Sequence, residues 1–442
     1  MKSWMRGALG AAPLLALSMP AFAQDPKVDT GDTAWMLIST AIVLMMTIPG
    51  LALFYAGMVR KKNVLSTLAQ SFAITALVSV LWVVIGYSLA FGEGGAYIGD
   101  VSKLLLGGIA ENWDKPFSLG SGPDAVAFTI PESVFVAFQG TFAVITAALI
   151  TGALADRIKF SALMVFVALW TLLVYSPVAH WVWHPNGWIF GLGALDFAGG
   201  TVVHINAGVA GLVGALILGK RVGYGTENLS PYNLAFAVIG AALLWVGWFG
   251  FNAGSAGGAS GRAGMAFLVT NTAAAAAALS WMVAEWAIKG KPSVLGVISG
   301  AVAGLVAITP AAGFVLPGAS ILLGIVAGLA GFWGATALKH WLGYDDSLDA
   351  FGVHGVCGIL GALLTGVLAY GPLSATEAAP AGVSGSMGQL LIQFQAVAAV
   401  FVFTAVATAI LLKVVDVIIG LRVSEEEERE GLDVTQHGER LG

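Results

Sequence analysis

The chain has 442 residues, of which 58% are hydrophobic and only 10% are charged, and it contains 59 glycines. This composition excludes an ordinary soluble domain and is typical of an integral membrane protein. The formal net charge of -5 says little about binding partners, because an acidic run near the C-terminus supplies most of it. The single cysteine, Cys357, excludes an intrachain disulfide and any metal site built from cysteines.

The N-terminus has the features of a secretory signal. Lys2 and Arg6 precede a short apolar run, and Ala21-Phe22-Ala23 has the small-x-small form of a signal-peptidase site. The apolar run is too short to cross a bilayer. We therefore predict a cleaved signal peptide over residues 1–23 and a mature chain that begins outside the cytoplasm.

Eleven longer apolar segments follow the predicted signal, each suited to cross a bilayer as a helix. Eleven crossings that start outside bring the C-terminus into the cytoplasm. The predicted fold is thus an all-α integral membrane protein with eleven transmembrane helices, N-terminus out and C-terminus in. The segments lie near 33–56, 67–91, 132–155, 160–182, 199–219, 232–253, 264–288, 293–312, 319–338, 350–370 and 389–419.

The distribution of basic residues supports this topology. The outward loops contain three, namely Lys103, Lys115 and Arg262. Cytoplasmic loops of membrane proteins carry an excess of Lys and Arg, so the asymmetry agrees with the predicted orientation. The loops predicted to be cytoplasmic contain ten: Arg60, Lys61, Lys62, Arg157, Lys159, Lys220, Arg221, Lys289, Lys291 and Lys339.

Two histidines, His204 and His354, lie within the fifth and tenth apolar segments. An ionisable side chain at membrane depth is rare and marks a candidate functional site, although a lone histidine can also be a structural hydrogen-bonding group. Each histidine follows an aspartate near the start of its segment, Asp196 and Asp349 respectively. Because aspartate favours the position before a helix, we predict that both aspartates cap these helices.

The segments around the two histidines resemble each other. DFAGGTVVHINAG surrounds His204 and DAFGVHGVCG surrounds His354, in helices predicted to run in opposite directions. A second similarity links FYAG at 54–57 with FNAG at 251–254. Such matches five helices apart predict a five-plus-five inverted-topology repeat plus a final long helix, with a site near the midplane. Chance similarity between glycine-rich helices is the alternative.

Aromatic side chains cluster at the predicted outer ends of the third, fourth and sixth helices. Phe138 and Phe142 are four residues apart on one helix face, and Trp183, Phe251 and Ser255 lie at neighbouring helix ends. Ring faces attract a cation, and a hydroxyl oxygen can replace a lost water. The cluster predicts a vestibule for a small cation that donates hydrogen bonds, while interface anchoring or core packing is the alternative for each ring.

The segments around the two histidines resemble the ammonium transporter family (Amt/MEP/Rh), in particular its bacterial Amt type. Three further segments share this resemblance, namely AFQGTFA at 137–143, GWFGFNAGSAG at 247–257 and EREGLDV at 428–434. The resemblance covers residues 30–435. It implies a homotrimer in the bacterial inner membrane, with one narrow hydrophobic pore in each subunit for ammonium or ammonia. It implies no enzymatic activity, no cofactor or bound metal, and no nucleic-acid partner.

The resemblance also implies a role for each candidate residue. Phe138, Phe142, Trp183 and Ser255 match the outer recruitment site for ammonium. Phe142 with Phe251 matches the stacked gate, and His204, His354 and Trp248 match pore residues. Asp196 matches the family's transport-essential aspartate, for which we expect a mainly structural role. The residues so named are identical to the family pattern at these positions.

The chemistry of ammonium explains why such a pore would be selective. Potassium and ammonium have equal charge and similar size, so a charged cage would separate them poorly. An apolar pore makes passage of a bare ion expensive, which favours splitting NH4+ into NH3 and H+. Potassium cannot be split in this way. Two neutral imidazoles can share one hydrogen between them and still offer nitrogens to the pore.

Two other classes of function compete with a transporter. A zinc enzyme would need three protein ligands, and no third histidine lies at the depth of the predicted pair. An ammonium sensor is expected to carry an appended signalling domain, whereas about twenty residues follow the last predicted helix.

The C-terminal segment 423–442 contains the acidic run Glu425–Glu428 and then Gly431. A charge run is often only a solvated tail. The family resemblance implies a cytoplasmic regulatory tail that docks beneath the trimer, next to a binding site for a PII-type signalling protein (GlnK). We therefore predict a transporter domain over residues 24–422 and an ordered tail that contacts basic inner loops at Lys61, Lys62 and Arg221.

Overall fold

The computed structural model describes residues 27–121, 125–375 and 381–442. Within them, ten helices are long and apolar enough to cross a membrane, and one apolar helix is shorter. The predicted signal peptide lies outside the described residues. In chain order the helices are α1 (Thr30–Met58), α2 (Lys61–Phe91), α3 (Glu132–Leu154), α4 (Phe160–Trp183), α5 (Gly200–Leu218), α6 (Leu234–Gly254), α7 (Gly261–Lys289), α8 (Val294–Ile308), α9 (Pro317–Leu342), α10 (Phe351–Leu368) and α11 (Met387–Ile418).

This architecture is that of a helical, multi-pass membrane protein. Each predicted segment contains one helix, and the departures are at the ends. The eighth segment, predicted over 293–312, is the 15-residue helix α8, which ends at Ile308. A straight crossing takes about 20 apolar residues, so α8 is short for a span.

The prediction of a purely α-helical chain missed a small β-hairpin between α2 and α3. Strand β1 (Pro116–Leu119) pairs antiparallel with β2 (Val126–Pro131), and Ser118 lies opposite Ala127. Phe117 and Phe128 stack with ring centroids 5.9 Å apart, and each ring lies 5.1 Å from Phe135 at the start of α3. The hairpin therefore covers the end of the helix bundle that is predicted to be the outer face.

Small residues allow α7, α8 and α9 to approach closely. A Cβ atom on Gly304 of α8 would lie 2.5 Å from the carbonyl oxygen of Ala273 in α7, and Gly328 of α9 lies against the Ala277 carbonyl in the same way. Glycines recur every four residues on α8 (Gly296, Gly300 and Gly304) and on α9 (Gly324 and Gly328). This spacing predicts close packing, because lipid provides no hydrophobic drive for helix association.

Helices α5 and α10 cross in an antiparallel arrangement at the centre of the bundle. Gly208 of α5 lies against the backbone of Gly355, and a Cβ on Gly358 of α10 would lie 3.1 Å from Cβ of His204. A larger residue at either glycine would push the helices apart. This close crossing brings the two histidine-bearing turns together.

The C-terminal segment is folded against the opposite end of the bundle from the hairpin. It forms the short helices α12 (Glu425–Glu430) and α13 (Leu432–His437). The backbone N–H of Leu432 donates to Asn63 Oδ1 at 2.8 Å, and Asp433 accepts from the N–H of Ser66 at 2.8 Å. Both partners follow the end of α1, so the tail lies beneath the first loop of the bundle.

Candidate functional site

A cavity of about 220 Å³ opens beneath the hairpin at the predicted outer face. All four residues predicted to recruit a cation line it, namely Phe138, Phe142, Trp183 and Ser255. The structure thus brings together side chains from α3, α4 and the end of α6. The other lining residues are mostly apolar and include Met36, Phe91, Leu119, Val126, Phe128, Phe135, Phe190 and Phe197.

Hydrogen bonds orient the polar groups of this cavity. The indole Nε1 of Trp183 donates to the carbonyl oxygen of Asp196 at 3.0 Å. The hydroxyl of Ser255 donates to the carbonyl oxygen of Phe251 at 2.8 Å. Because its only hydrogen is used in this bond, the Ser255 oxygen retains lone pairs that can accept from a ligand.

The floor of the cavity is a pair of stacked phenylalanine rings. Phe142 and Phe251 have centroids 4.1 Å apart and an interplanar angle of 20°. Phe138 lies above them with its centroid 4.9 Å from that of Phe142, and Trp183 and Phe142 are nearly perpendicular with centroids 5.8 Å apart. Phe251 is fully buried, so the two rings separate the cavity from what lies below.

The two histidines contact each other directly below the stacked rings. Nδ1 of His204 and Nδ1 of His354 are 3.3 Å apart, and both side chains are buried. One of these nitrogens must carry a hydrogen and the other must not, because a hydrogen bond needs one donor and one acceptor. At least one ring is therefore neutral. The Nε2 atom of His204 is buried and has no hydrogen-bond partner within the described residues.

Trp248 packs against the face of the His204 ring. The two rings are nearly parallel with centroids 5.3 Å apart, and Phe251 lies 5.6 Å from Trp248. The indole Nε1 of Trp248 donates to Oγ1 of Thr309 at 2.9 Å. This bond satisfies the only polar atom of the tryptophan and leaves an apolar wall beside the histidines.

A smaller cavity of about 20 Å³ lies on the other side of the histidine pair. Tyr55, Val302, Asp349 and His354 contribute to its lining. The outer cavity, the stacked rings, the paired imidazoles and this inner cavity thus follow one another through the bundle. The line runs between α1, α3, α5, α6 and α10.

The carboxylate of Asp196 caps the turn that carries His204. It accepts the backbone N–H groups of Gly199 at 2.9 Å, Gly200 at 2.6 Å, Thr201 at 2.8 Å and Val202 at 3.2 Å. These are the donors that a helix start leaves without partners. Through its own carbonyl, Asp196 also holds Trp183, so one residue positions parts of both the cavity and the histidine turn.

The predicted cap at Asp349 is wrong. Asp346, three residues earlier, accepts the N–H groups of Ala350 at 3.0 Å and Phe351 at 2.7 Å, whereas Asp349 forms an ion pair with Lys339. Asp349 has a left-handed backbone with φ 60°, which directs the following N–H groups back toward Asp346. The sequence contains the signal, because Asp346 precedes its histidine by eight residues, as Asp196 does.

The starts of α5 and α10 share further features. Gly199 and Asp349 occupy equivalent positions and both have a positive φ, 108° and 60° respectively. Each is followed by a widened helical turn that contains the histidine, over Gly200–Ile205 and Phe351–Gly355. Widened turns of this kind are frequent at functional sites.

Charges surround the turn of Asp346 at the predicted inner face. Burial, together with the nearby charge of Asp349, raises the pKa of Asp346 to about 6, although Lys339 acts in the opposite direction. Burial would also raise the pKa of Asp345, but hydrogen bonds from Arg221 and its charge outweigh burial and lower that pKa. Neighbouring carboxyls at the base of α10 therefore differ in how readily they bind a proton.

Sequence reasoning missed two polar residues of the site. Gln139 lines the outer cavity, and its buried Oε1 atom accepts no hydrogen bond from the described residues. Thr309 fixes Trp248 from another helix, and nothing in the local sequence indicates that contact. The position of Gln139, directly after Phe138 in AFQGTFA, was a signal that could have been used.

The described part of the chain contains no candidate metal site. Within it, no group of three or more His, Cys, Asp and Glu side chains is arranged to hold a metal ion. The other close histidine pair, His180 and His184, stacks with centroids 4.6 Å apart, and His180 contacts the carbonyl oxygens of Ala90 and Gly95.

Comparison with known proteins places this arrangement in a family. The chain is 51% identical over 411 residues to an ammonium transporter of Bacillus subtilis, an alignment that covers 93% of this chain and 98% of that protein. The crystal structure of Saccharomyces cerevisiae Mep2 superimposes with a TM-score of 0.81 at 37% identity, covering 91% of this chain and 89% of Mep2. A solved structure described as a sensor Amt protein matches with a TM-score of 0.82 at 29% identity, covering 92% of this chain and 98% of that one.

The family model reaches the same result over almost the full length. The model of the Ammonium Transporter Family matches residues 34–441, which include both histidine turns, the aromatic cavity and most of the C-terminal segment. The predicted family is thereby confirmed. The chain belongs to the ammonium transporter family.

Proposed function

We propose that this ammonium transporter passes its substrate along the line of residues described above. The observation that carries the proposal is the contact between the buried His204 and His354 rings directly below an aromatic cavity. NH4+ binds in the outer cavity and is deprotonated, and NH3 moves past the histidines through an otherwise apolar passage. The protein acts as a transporter without a cofactor.

Recruitment of NH4+ follows from the chemistry of the outer cavity. The rings of Phe138 and Trp183 attract a cation, by about 1–2 kcal/mol for a partly desolvated ion. The Ser255 oxygen accepts a hydrogen bond that potassium cannot donate, which adds a directional preference for ammonium.

The stacked pair of Phe142 and Phe251 acts as a gate in this proposal. Parallel rings 4.1 Å apart leave no room for a hydrated ion between them. A substrate therefore crosses only when the rings move, and it sheds its water as it does so. Desolvation of a cation is expensive, so the neutral species passes more readily.

The histidine pair receives the substrate below the gate. The Nε2 of His204, which has no partner among the residues that the structure describes, can accept a hydrogen bond from NH3 or take up the proton of NH4+. A proton taken up at one ring can leave from the other, because the two Nδ1 atoms share a hydrogen. Potassium cannot release a proton and is left with the full desolvation cost.

In the proposed orientation the N-terminus lies outside, the C-terminus lies in the cytoplasm and the chain crosses the membrane eleven times. The short helix α8 completes its crossing together with the loop residues that follow it. Two observations support it. The loops rich in Lys and Arg lie on the side of the bundle where the tail docks, because Lys62, Arg157 and Val222 all contact it, and cytoplasmic loops carry such residues. The matching Asp-to-His spacing in the antiparallel helices α5 and α10 supports a five-plus-five inverted repeat with a final long helix α11.

Transport is tested most simply in reconstituted vesicles. Purified protein in liposomes is given an inward ammonium gradient, and the internal pH is followed with a trapped dye. We expect the signal to be clearly faster than in empty liposomes, through which NH3 diffuses unaided, and to be unaffected by excess potassium. Equal responses with and without protein would contradict the proposal.

The resemblance to a sensor Amt protein defines a second candidate function. A sensor binds ammonium in the outer cavity and changes conformation without net flux. The same vesicles distinguish the two functions when ammonium binding is measured in parallel by calorimetry. Binding accompanied by no flux would favour the sensor.

Opening the gate gives one testable prediction. Replacing Phe251 by alanine removes the ring that closes the passage, so water can reach the histidines and potassium is less strongly excluded. We expect the preference for ammonium over potassium to fall by about tenfold, the factor that corresponds to ~1.4 kcal/mol. Uptake of both ions into vesicles measures it.

Phe332→Ala is the matched control for the gate variant. Phe332 is also a buried ring, but it packs against Trp281 away from the proposed path. Both variants lose comparable packing, on the order of 3–5 kcal/mol for a buried phenylalanine. If Phe251→Ala and Phe332→Ala both lost selectivity, the effect would be due to general destabilisation and the gate would have no support.

The C-terminal tail is proposed to regulate transport within a homotrimer in the bacterial inner membrane. The division into a signal over 1–23, a transporter domain over 24–422 and a tail over 423–442 is part of this proposal. Glu428 connects the tail to the basic loops, since it accepts the N–H of Val222 at 2.7 Å and lies 3.9 Å from the guanidinium of Arg60. Of the three basic residues predicted to contact the tail, Lys62 does so through the carbonyl of Arg429, which supports an ordered tail. Arg221 instead pairs with Asp345 and Asp156, and within the described residues Lys61 forms no hydrogen bond or ion pair with the tail. A PII-type signalling protein (GlnK) would bind at this same face.

Deleting residues 423–442 gives a second testable prediction. The deletion removes the buried contacts of Glu428, Leu432 and Asp433 with the loops, and we expect uptake to fall a few-fold while the protein remains folded and oligomeric. Uptake assays, size-exclusion chromatography and capture of a purified PII protein measure the three properties.

Arg429→Ala is the control for the deletion. Its ion pairs with Glu227 and Glu425 are exposed and are expected to contribute little. If the deletion variant had unchanged uptake and the full chain captured no PII protein, the tail would be a solvated terminus without a regulatory role.

A further inference from the structure

The loop between α2 and the hairpin exposes large apolar side chains. Val101, Leu105 and Trp113 are 64%, 67% and 68% exposed, and Leu104 is 44% exposed. A loop that faced only water would be expected to carry polar residues at these positions. Contiguous exposed apolar surface of this kind usually marks an interaction site.

The position of this loop indicates its surroundings. Leu104–Leu106 packs against Trp82–Gly86 of α2, which ends further along at Phe91. At 1.5 Å per residue, these contacts lie about 8–13 Å below the end of the helix. The loop therefore turns back alongside the membrane-spanning helix instead of extending away from it.

Hydrogen bonds and an ion pair hold the loop in this place. The N–H of Gly99 donates to the carbonyl of Leu89 at 2.8 Å, and the Ser88 hydroxyl donates to the carbonyl of Asp100 at 2.8 Å. Lys103 pairs with Glu132 at the start of α3 at 2.8 Å. Because this ion pair engages the side-chain nitrogen of Lys103, that lysine is not free to bind a lipid phosphate.

The apolar surface of the loop continues an apolar surface of α2. Val80, Val83 and Val84 of that helix are 63%, 42% and 37% exposed, and the last two lie in the stretch that Leu104–Leu106 contacts. A membrane-spanning helix presents such residues to lipid chains. Tryptophan favours the boundary between lipid and water, which suits the exposed Trp113.

We propose that residues 101–106, together with Trp113, form an apolar anchor that inserts among the lipid chains at the membrane interface on the hairpin side. The anchor binds the membrane by burying apolar side chains and not by contacting a charged lipid headgroup. Because the hairpin follows the anchor and covers the outer cavity, insertion would fix the roof of the cavity relative to the membrane surface.

A fluorescent probe at the anchor tests this proposal on the full chain. The only native cysteine, Cys357, is fully buried, so a thiol introduced at Leu105→Cys can be labelled selectively with an environment-sensitive dye. The labelled protein is reconstituted in phosphatidylcholine vesicles with or without doxyl-labelled lipid. We expect doxyl lipid to quench most of the emission and aqueous iodide to quench several-fold less.

Glu111→Cys is the matched control, because Glu111 is exposed in the same loop and is polar. At this site we expect the opposite order, with iodide the stronger quencher. Val101→Cys provides a second anchor position if Leu105→Cys fails to fold, as judged by size-exclusion chromatography. Strong quenching by iodide at both anchor sites would overturn the proposal. Protection from both quenchers would do so as well, since it would indicate that another copy of the chain covers this surface.

Discussion

Replacing either His204 or His354 by alanine is expected to reduce ammonium transport about tenfold or more and to admit potassium. Each substitution removes one side of the Nδ1–Nδ1 contact and leaves the remaining ring without its partner. Loss of a hydrogen bond in a buried site costs about 1–3 kcal/mol, and each ~1.4 kcal/mol is a factor of ten in rate. The shortened side chain also leaves space that water can fill, which lowers the desolvation barrier for potassium. Uptake of both ions into vesicles measures the effect.

His340→Ala is the control for the histidine variants. His340 is exposed at the end of α9, away from the line of cavities, so its replacement is expected to leave transport unchanged. The account would be wrong if His204→Ala and His354→Ala both retained wild-type uptake and wild-type preference for ammonium over potassium. A change in the control variant alone would also contradict it.

Replacing Asp196 by alanine is expected to abolish transport and to lower the stability of the protein. The substitution leaves four backbone N–H groups in a buried turn without their acceptor. An unsatisfied buried donor costs about 1–3 kcal/mol, so the expected loss of stability is several kcal/mol. The same turn carries His204, and the Asp196 carbonyl holds Trp183, so the cavity and the pore would both be disturbed. Uptake assays and thermal unfolding in detergent measure the two effects.

Two further variants separate the capping role from other roles of Asp196. Asp196→Asn keeps a carbonyl oxygen that can accept part of the hydrogen bonds and is expected to retain more stability than the alanine variant. Asp346→Ala removes the acceptor of two N–H groups at the base of α10 and is expected to cause a smaller loss. An Asp196→Ala protein with normal melting temperature and normal uptake would contradict the structural role.

The helices were predictable because membrane crossing imposes a length and a composition on each segment. The predicted segment 132–155 and the helix Glu132–Leu154 agree to within one residue. The hairpin was missed because its two strands are only four and six residues long and lack a clear alternation of apolar and polar residues. Such a hairpin is stabilised by tertiary contacts, here with Phe135, that the local sequence does not contain.

The candidate site was only partly predictable. The aromatic residues and both histidines were identified because their depth and their family resemblance mark them. The contact between Trp248 and Thr309 joins residues 61 positions apart, and only the fold brings them together. The wrong cap at Asp349 arose from choosing the aspartate closest to the apolar segment. The equal spacing of Asp196 and Asp346 from their histidines was the better criterion, since it compares two turns of the same construction.

The central claim is that the paired histidines conduct ammonium selectively through an apolar pore. It is tested most directly by recording the current across vesicles that contain the purified protein when ammonium or potassium is applied, together with the internal pH. The account predicts an ammonium-dependent response that potassium does not evoke and that His204→Ala removes or makes unselective. The ratio of current to ammonium taken up then distinguishes NH3 alone from NH3 with its proton. An equal response to potassium in the wild-type protein, or no response to ammonium, would contradict the account.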